Sequence, residues 1–495
     1  MTRTATAAAP ELTQSDVPPA PPVTDPAPPV TDPAPPATDP AAPATDPEPG
    51  AAAPAAERQP SLIRLAVKAS AWTVLGYGTG QVLRFGSNLV LTRLLFPEAF
   101  GMMALVNVFM QGLQMFSDLG IGPSIIQHRR GEEPAFYNTA WTVQVIRGGL
   151  LWACSCLLAW PAAAIYGEPM LLRLIPVAGL TALIAGFNST ALFMLNRRLA
   201  LGKLVPIDLV SQVTSIGTMV AVALLTRSVW ALLVSGLVYT TVKMALSHAV
   251  FREVCNRFHW EPEAGRSLIR FGRWIFIASA LTFLAYQGDR LVMGGFFSMA
   301  QLGVYTTALF MSQAGLDLMQ ELSGKILFPL YSRFAHETDG SLARKMRRAR
   351  IVLLAISLPG FCVLAVWGHE IIALLYDSRY WEAGWILRVL ALGAIFRAIS
   401  LTVMPAILAC GDSFRHMVLM GTRSALLVTA MAVGGWLGGM RGLVIGVALT
   451  DLLNYPILAW TARRHRVWMP RLDIAALGYA GAVAAVCVAV FHVLH

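Results

Sequence analysis

The sequence predicts an all-α polytopic membrane protein, and three observations carry the prediction. Of its 495 residues, 56% are hydrophobic and only 13% are charged, which is typical of a chain that crosses a bilayer many times. Apolar runs recur along the chain with the length of about 20 residues that spans the hydrocarbon. Lys and Arg are concentrated in alternate short loops, so the net charge of +10 indicates membrane topology rather than nucleic-acid binding.

Thirteen candidate spans follow an N-terminal segment of different composition. Residues 1–60 contain a Pro-rich heptad repeat such as PPVTDPA, and this Pro content without large apolar residues predicts a disordered, Pro/Ala-rich cytoplasmic tail. The pattern of residues 61–70 predicts an amphipathic lead-in at the membrane surface. The expected spans are 71–96, 100–126, 138–166, 170–196, 205–226, 229–251, 270–296, 301–330, 346–374, 383–410, 414–437, 441–462 and 473–494.

The charges of the loops predict the orientation of these spans, and an internal sequence similarity predicts how the spans are grouped. Arg-rich loops alternate without a break with loops that carry one basic residue or none, which predicts a cytoplasmic N-terminus and an outer C-terminus. A shift of 202 residues aligns Gly101 with Gly303 and span one with span seven, which indicates a duplication. We therefore expect two six-helix lobes around a central cavity, at 61–251 and 252–464, and a C-terminal span within 465–495.

The first span carries a polar stripe on one helical face. Its members are separated by three or four residues, so they line up along a helix. A stripe of this kind faces partner helices or water rather than lipid, and it is typical of a helix that lines a transport pathway. The stripe consists of Thr73, Tyr77, Gln81, Arg84, Asn88 and Thr92.

Span eight carries the densest group of polar residues. An ionisable residue at the bilayer centre costs about 2.5–3.5 kcal/mol, so these side chains face protein or water. They either line a polar cavity or join two helices through an internal pair between Glu321 and Lys325. One face of the span carries Gln313, Asp317, Gln320 and Glu321, with Lys325 one turn beyond Glu321.

Arginines within the spans predict an anion site. The guanidinium group presents a planar fork of donors that suits phosphate oxygens, so several arginines around one cavity would hold a diphosphate head group. Arg290 lies near the outer end of its span and alternatively extends toward the membrane surface. The candidate substrate-binding residues are Gln81, Arg84, Arg147, Arg290, Lys325 and Arg397.

The carboxylates within the spans are candidates for ion coupling: Asp118, Asp289, Asp317 and Glu321. Asp118 alternatively caps a kink before Gly120 and Gly122. The chain lacks a GxxxxGK phosphate loop, so the energy source is an ion gradient, the membrane potential or the gradient of the substrate itself. The six cysteines lack zinc spacing, and we expect no metal, no cofactor and no catalytic residues.

Six segments of the sequence carry a resemblance to a known family. They are LTRLLFPEAFGMMALV (91–106), FSDLGIGPSIIQHR (116–129), IRFGRWIF (269–276), GDRLVMGGFFSMAQLGVY (288–305), ILFPLYSRF (326–334) and YDSRYWEAGWILRVLAL (376–392). Together they resemble the Wzx-type polysaccharide flippases of the multidrug/oligosaccharidyl-lipid/polysaccharide exporter superfamily. The resemblance covers roughly residues 61–470, and it is specific as a set, although each segment alone is mostly apolar. Members of the family commonly have fourteen spans, one more than the sequence indicates here.

The resemblance implies a transporter that turns a lipid-linked oligosaccharide from the cytoplasmic to the outer leaflet of the bacterial inner membrane by alternating access. Its partner would be a polyprenyl-diphosphate-linked oligosaccharide made for exopolysaccharide or lipopolysaccharide, with the polymerase and glycosyltransferases of the same pathway. Two alternatives are a drug or cation antiporter of the same superfamily, and a membrane polymerase or ligase of polysaccharides. The deep arginines disfavour a cationic substrate, and the absence of a large outer loop disfavours the enzyme.

Overall fold

The computed structural model describes residues 62–118, 120–128, 130–198, 200–249, 251, 254–262, 282–284, 286–334 and 341–494, and every regular element within these ranges is helical. The predicted tail at 1–60 and the first half of expected span seven lie outside the described residues. The described helices establish an all-α polytopic membrane protein, as predicted.

The N-terminal group of helices, here called the N-half, runs from residue 62 to residue 249. It consists of α1 (Leu62–Leu94), α2 (Pro97–Phe116), α3 (Ile121–Gln127), α4 (Pro134–Tyr166), α5 (Leu171–Gly186), α6 (Ala191–Arg197), α7 (Leu201–Thr226) and α8 (Trp230–Ala249).

The C-terminal group, here called the C-half, begins with α9 (286–296). A π-helical turn at Ser323–Leu327 joins its next two helices. The remaining helices are α10 (Met299–Leu322), α11 (Phe328–Phe334), α12 (Ser341–Leu375), α13 (Ala383–Ala409), α14 (Ser413–Arg464) and α15 (Pro470–Leu494).

Eight described helices have the length and hydropathy of membrane spans: α2, α4, α7, α8, α12, α13, α14 and α15. The pair α5 and α6, bent by 62°, makes a ninth candidate. The other four expected spans correspond to α1 and α10, whose polar side chains lower their hydropathy, to a second span within α14, and to span seven, of which the second half is described. The count of thirteen is therefore compatible with the helices.

Local sequence explains where several helices begin and end. Pro97 occupies the first turn of α2, where its missing N–H would have no partner in any case. Ser298 and Gln301 form a reciprocal capping box at the start of α10. Two helices joined at Gly438 and Gly439 make up α14, and the φ of +55° at Gly439 is one that glycine adopts without strain.

Each half packs mainly within itself, and α2 and α10 pack against each other between them. The two helices cross at two glycines. A Cβ atom at Gly101 would lie 2.0 Å from the carbonyl oxygen of Met299, and one at Gly303 would lie 1.8 Å from that of Pro97. The two glycines are 202 residues apart, and so are Pro97 and Met299, which is the predicted shift. The crossing is therefore two-fold symmetric, and this symmetry supports the duplication. The division into lobes at 251/252 remains a prediction.

Candidate functional site

A central cavity of about 330 Å³ lies between α1, α2, α9 and α10. Three members of the polar stripe of α1, Gln81, Arg84 and Asn88, line one wall. The polar or charged residues that line the cavity are Gln81, Arg84, Asn88, Asn107, Arg290, Thr306, Thr307, Gln313 and Asp317. Three of the predicted substrate-binding residues (Gln81, Arg84 and Arg290) and one of the predicted coupling residues, Asp317, therefore share one cavity.

Arg84 is an exposed cation in this cavity. Its side chain makes no hydrogen bond or ion pair with another described residue. The nearest stripe members are otherwise engaged: Gln81 donates to the hydroxyl of Tyr77 at 3.3 Å, and Asn88 accepts from the hydroxyl of Tyr376 at 2.9 Å. The guanidinium of Arg84 therefore keeps its five donors available to a ligand.

Arg290 points into the central cavity rather than toward the membrane surface. It donates to Gln287, and its other terminal nitrogen lies 3.4 Å from the side-chain oxygen of Gln313. Both partners are neutral carboxamides, so these bonds orient the guanidinium without neutralising it. Arg84 and Arg290 against the one carboxylate of Asp317 give the charged residues that line this cavity a formal net charge of +1.

A second cavity of about 300 Å³, here called the C-half cavity, lies between α9, α10, α13 and α14. Arg397 lines it, and its guanidinium pairs with Asp451 at 3.3 Å and donates to the hydroxyl of Tyr286 at 3.0 Å. Arg423 binds the same carboxylate through two nitrogens, at 3.1 and 3.3 Å. Arg397 is thus held in a buried cluster with a carboxylate.

Asp289 also lines the C-half cavity, and its side chain is buried. One carboxylate oxygen accepts a hydrogen bond of 2.6 Å from the hydroxyl of Tyr305. The other oxygen is buried and has no hydrogen-bond partner among the described residues. A buried carboxylate oxygen without a partner is costly, and among the described residues Asp289 is the predicted coupling residue that has one.

A third cavity of about 530 Å³, here called the N-half cavity, lies between the helices α2 to α8. Arg147 lines this cavity, whereas Arg84 lines the central cavity. The guanidinium of Arg147 donates to the carbonyl oxygen of Gln114 at 2.9 Å and to the hydroxyl of Ser117 at 3.0 Å. Arg147 therefore caps one carbonyl near the C-terminal end of α2.

Asp118 follows the end of α2 and also lines the N-half cavity. Its carboxylate accepts a hydrogen bond of 2.9 Å from the backbone nitrogen of Gly120, which has a φ of +62°. This is the geometry of the alternative in which Asp118 caps the turn. Lys243 and Asp208 form an ion pair of 2.7 Å in the same cavity.

A connecting cavity of about 350 Å³ joins these three. It shares Asn107 with the central cavity, Gln111 with the C-half cavity and Gln114 with the N-half cavity. The central and C-half cavities in turn share Gln313 and Asp317. The four cavities therefore lie next to one another.

The structure separates the remaining predicted residues of span eight. Gln313, Asp317 and Gln320 line the C-half cavity, in agreement with the predicted polar face. Glu321 lines none of these four cavities. Lys325 lies in the π-helical turn after α10, and its side chain lies outside the described residues.

Several polar residues of the cavities were not identified from the sequence. Arg423, Asp451, Lys243 and Asp208 all lie within apolar runs, so the rule that selected Arg84 also applies to them. Asn107 and Gln114 lie seven residues apart and therefore on one face of α2, so their spacing in the sequence could have identified them. Among the residues described, no group of three His, Cys, Asp or Glu side chains could hold a metal ion.

Contacts between the halves close the bundle at the end where α1 finishes. The hydroxyl of Tyr380 donates to the carbonyl oxygen of Leu95 at 3.3 Å, near the bond from Tyr376 to Asn88. Arg379 lies over the ring of Phe96, 4.8 Å from its centroid. Hydrogen bonds from the side chain and backbone of Arg379 hold the pKa of Asp377 below its ordinary value.

Comparison with known sequences finds a matching protein family and related proteins. The profile described as polysaccharide biosynthesis protein matches residues 90–384. The succinoglycan biosynthesis transport protein ExoT of Rhizobium meliloti is 24% identical over 400 residues, which cover 79% of each chain. The lipopolysaccharide biosynthesis protein WzxC of Escherichia coli is 20% identical over 413 residues, which cover 80% of this chain and 82% of WzxC.

Solved structures share the fold at low sequence identity. A lipid II flippase, MurJ, in an inward closed conformation superposes with a TM-score of 0.64 at 12% identity and covers 85% of this chain and 92% of its own. An inward-facing multidrug transporter of the MATE family gives a TM-score of 0.60 at 14% identity and covers 78% of this chain and 94% of its own. These likenesses show a polytopic, all-helical fold.

Proposed function

The chain belongs to the polysaccharide biosynthesis protein family, and from this premise we propose that it carries a lipid-linked oligosaccharide across the bacterial inner membrane by alternating access. The names of its relatives, a succinoglycan transport protein and a lipopolysaccharide biosynthesis protein, support this function. So does the set of connected polar cavities between membrane-spanning helices. We propose that the cargo is an oligosaccharide on a polyprenyl diphosphate, made and used by the glycosyltransferases and polymerase of one pathway. The protein transports this cargo and performs no reaction on it.

The observation that carries the proposal is the unpaired guanidinium of Arg84 in a net-positive cavity beside Arg290. A diphosphate brings negative charge and several acceptor oxygens, which a free guanidinium binds with charge-assisted hydrogen bonds. We propose that Arg84 and Arg290 hold the diphosphate, with Gln81 beside them, while the lipid tail stays in the bilayer. Arg397 and Arg147 act indirectly in this scheme because each is already bound to protein groups.

The loop charges support an N-terminus in the cytoplasm. In that orientation, the end that carries the Arg-rich loops faces the cytoplasm, and Tyr376, Arg379 and Tyr380 close the outer end. The contacts of these side chains with α1 then correspond to a state that receives cargo from inside. Opening them would release the cargo to the outer leaflet.

Replacement of Arg84 tests the assignment. We expect Arg84→Ala to reduce polysaccharide export from cells of the source bacterium by about ten- to a hundredfold, because hydrogen bonds to a charged group contribute about 1.5–3 kcal/mol. The measurement is surface polysaccharide per amount of transporter in the membrane fraction. Arg84→Lys should retain more export than Arg84→Ala, since it keeps the charge.

The matched control removes the same charge elsewhere on the same helix. Arg93 is exposed near the end of α1 and lines none of the four cavities, so Arg93→Ala should export normally. Normal export by Arg84→Ala, or an equal loss in both variants, would contradict the site.

We further propose that Asp289 carries the coupling ion, because one of its buried carboxylate oxygens has no partner among the described residues. Asp289→Asn removes the charge and keeps the acceptor for Tyr305. In proteoliposomes, uptake by the wild type should then depend on an imposed ion gradient and uptake by Asp289→Asn should not. A variant that responds to the gradient like the wild type would return the role to Asp118, Asp317 or Glu321.

A further inference from the structure

A row of exposed carboxamide side chains leads away from the central cavity. Asn107 lies in the central and connecting cavities, Gln114 in the connecting and N-half cavities, and Asn196 in the N-half cavity. Two of them share a face of α2, and the third comes from α6. Each side chain is exposed, and none makes a hydrogen bond with another described residue. The three together are here called the carboxamide row.

The charges along the row differ from those around Arg84. The N-half cavity contains two cations, Arg147 and Lys243, and two carboxylates, Asp118 and Asp208. These four charges balance, whereas the charged residues of the central cavity carry a net +1. An anion is therefore favoured at Arg84, and the N-half cavity suits a neutral polar ligand.

Carboxamides match the hydrogen-bonding capacity of hydroxyl groups. Each carboxamide offers two N–H donors and an acceptor oxygen, so it bonds to a hydroxyl group as donor or acceptor. The N-half cavity has a volume of about 530 Å³, within the range of about 300–1,000 Å³ usual for ligand pockets. The open ends of the row's side chains are therefore complementary to a chain of sugar hydroxyls.

We propose that the carboxamide row is the glycan subsite of the transporter, and that it binds the hydroxyl groups of the first sugars after the diphosphate. This assignment rests on the proposed function, since it takes the diphosphate to lie at Arg84. Asn107 contacts the sugar nearest the head group, and Gln114 and Asn196 contact sugars further along. The rest of the cargo extends toward the end of the bundle that carries Arg197.

The test compares two lipids that differ only in the glycan. One is undecaprenyl diphosphate, and the other is the lipid-linked oligosaccharide extracted from the source bacterium without a working copy of this transporter. Binding of each lipid is measured with the purified full-length protein in nanodiscs. The variants are the triple replacement Asn107→Ala, Gln114→Ala and Asn196→Ala, and the single replacement Arg84→Ala.

The wild type should bind the glycan-bearing lipid more tightly than the sugar-free lipid. The triple variant should lose about tenfold in affinity for the glycan-bearing lipid and keep its affinity for undecaprenyl diphosphate, since three hydrogen bonds of modest net strength are lost. Arg84→Ala should weaken both. Because the three side chains have no bonds to described residues, the triple variant should unfold at the wild-type temperature. Thr214→Ala, an exposed polar truncation on α7 outside the four cavities, serves as control.

Three outcomes would overturn the glycan subsite while leaving the proposed function in place. They are a triple variant that binds both lipids like the wild type, one that loses affinity equally for both, and a wild type that does not distinguish the two lipids. If the wild type binds neither lipid, the proposed function fails and the subsite fails with it. The same nanodisc measurement therefore separates the two conclusions.

Discussion

Two arginines inside the membrane spans, Arg84 of the N-half and Arg397 of the C-half, meet opposite surroundings. Arg84 is exposed in the central cavity and bonds to no other described residue. Arg397 is buried, pairs with Asp451 and donates to Tyr286. A charged residue in the middle of a span therefore indicates a polar interior. Its hydrogen bonds and ion pairs decide whether its side chain is available to a ligand.

The cost of removing the charge from water also differs between Arg397 and Arg84. A buried charge pair recovers its desolvation cost only through good geometry, and the carboxylate of Asp451 serves both Arg397 and Arg423. Arg84 keeps contact with the cavity, so its desolvation cost is smaller. Replacing the partner of the buried arginines should therefore affect stability, and replacing Arg84 should affect transport.

The largest effect is expected when the C-half cluster loses its carboxylate. Asp451→Ala leaves two largely buried guanidinium groups, with 7% and 12% exposed side-chain area, without their shared partner. Removing one partner of a buried pair costs about 3–5 kcal/mol, so we expect a loss of that size in the free energy of unfolding. Denaturant titration of the purified protein in detergent measures it.

Asp317→Ala is the matched control for Asp451→Ala. Asp317 is an exposed carboxylate that lines the central and C-half cavities, so its removal should change stability by far less. Asp451→Asn keeps one acceptor and should fall between the two. If Asp451→Ala unfolds like the wild type, the difference between the buried and the exposed arginine has no energetic basis.

The fold was largely predictable because membrane-spanning helices can be recognised from their apolar composition and from the charge of the loops between them. The residues at which the helices begin and end were less predictable. Helix α1 begins at Leu62 instead of near Ala71, because no Pro or Gly separates the amphipathic lead-in from the first span. Spans eleven and twelve appear as one element, α14, since the chain turns within a few residues at Gly438.

The sequence predicted which charged residues lie inside the membrane spans, but it did not predict which of them form ion pairs with each other. The cost of a deep charge selected Arg84, Arg290 and Asp317, which the structure brings together. The same argument could not separate Arg397 from Arg84, because the partner Asp451 lies 54 residues away along the chain. Such pairing depends on which helices become neighbours, and helical spacing within one element carries no information about it.

Arg147 provides the smaller and more discriminating test, because the sequence assigns it to the diphosphate whereas the structure bonds it to the end of α2. Arg147→Ala should lower the free energy of unfolding by about 1.5–3 kcal/mol, since it removes hydrogen bonds from a charged donor to Gln114 and Ser117. Arg147→Lys keeps the charge but presents a single nitrogen, so it should recover part of the stability. The measurement is denaturant unfolding beside export per transporter in the membrane. A variant Arg147→Ala with wild-type stability and no export would place Arg147 with Arg84 as a substrate ligand and would end the distinction between bonded and available arginines in the N-half.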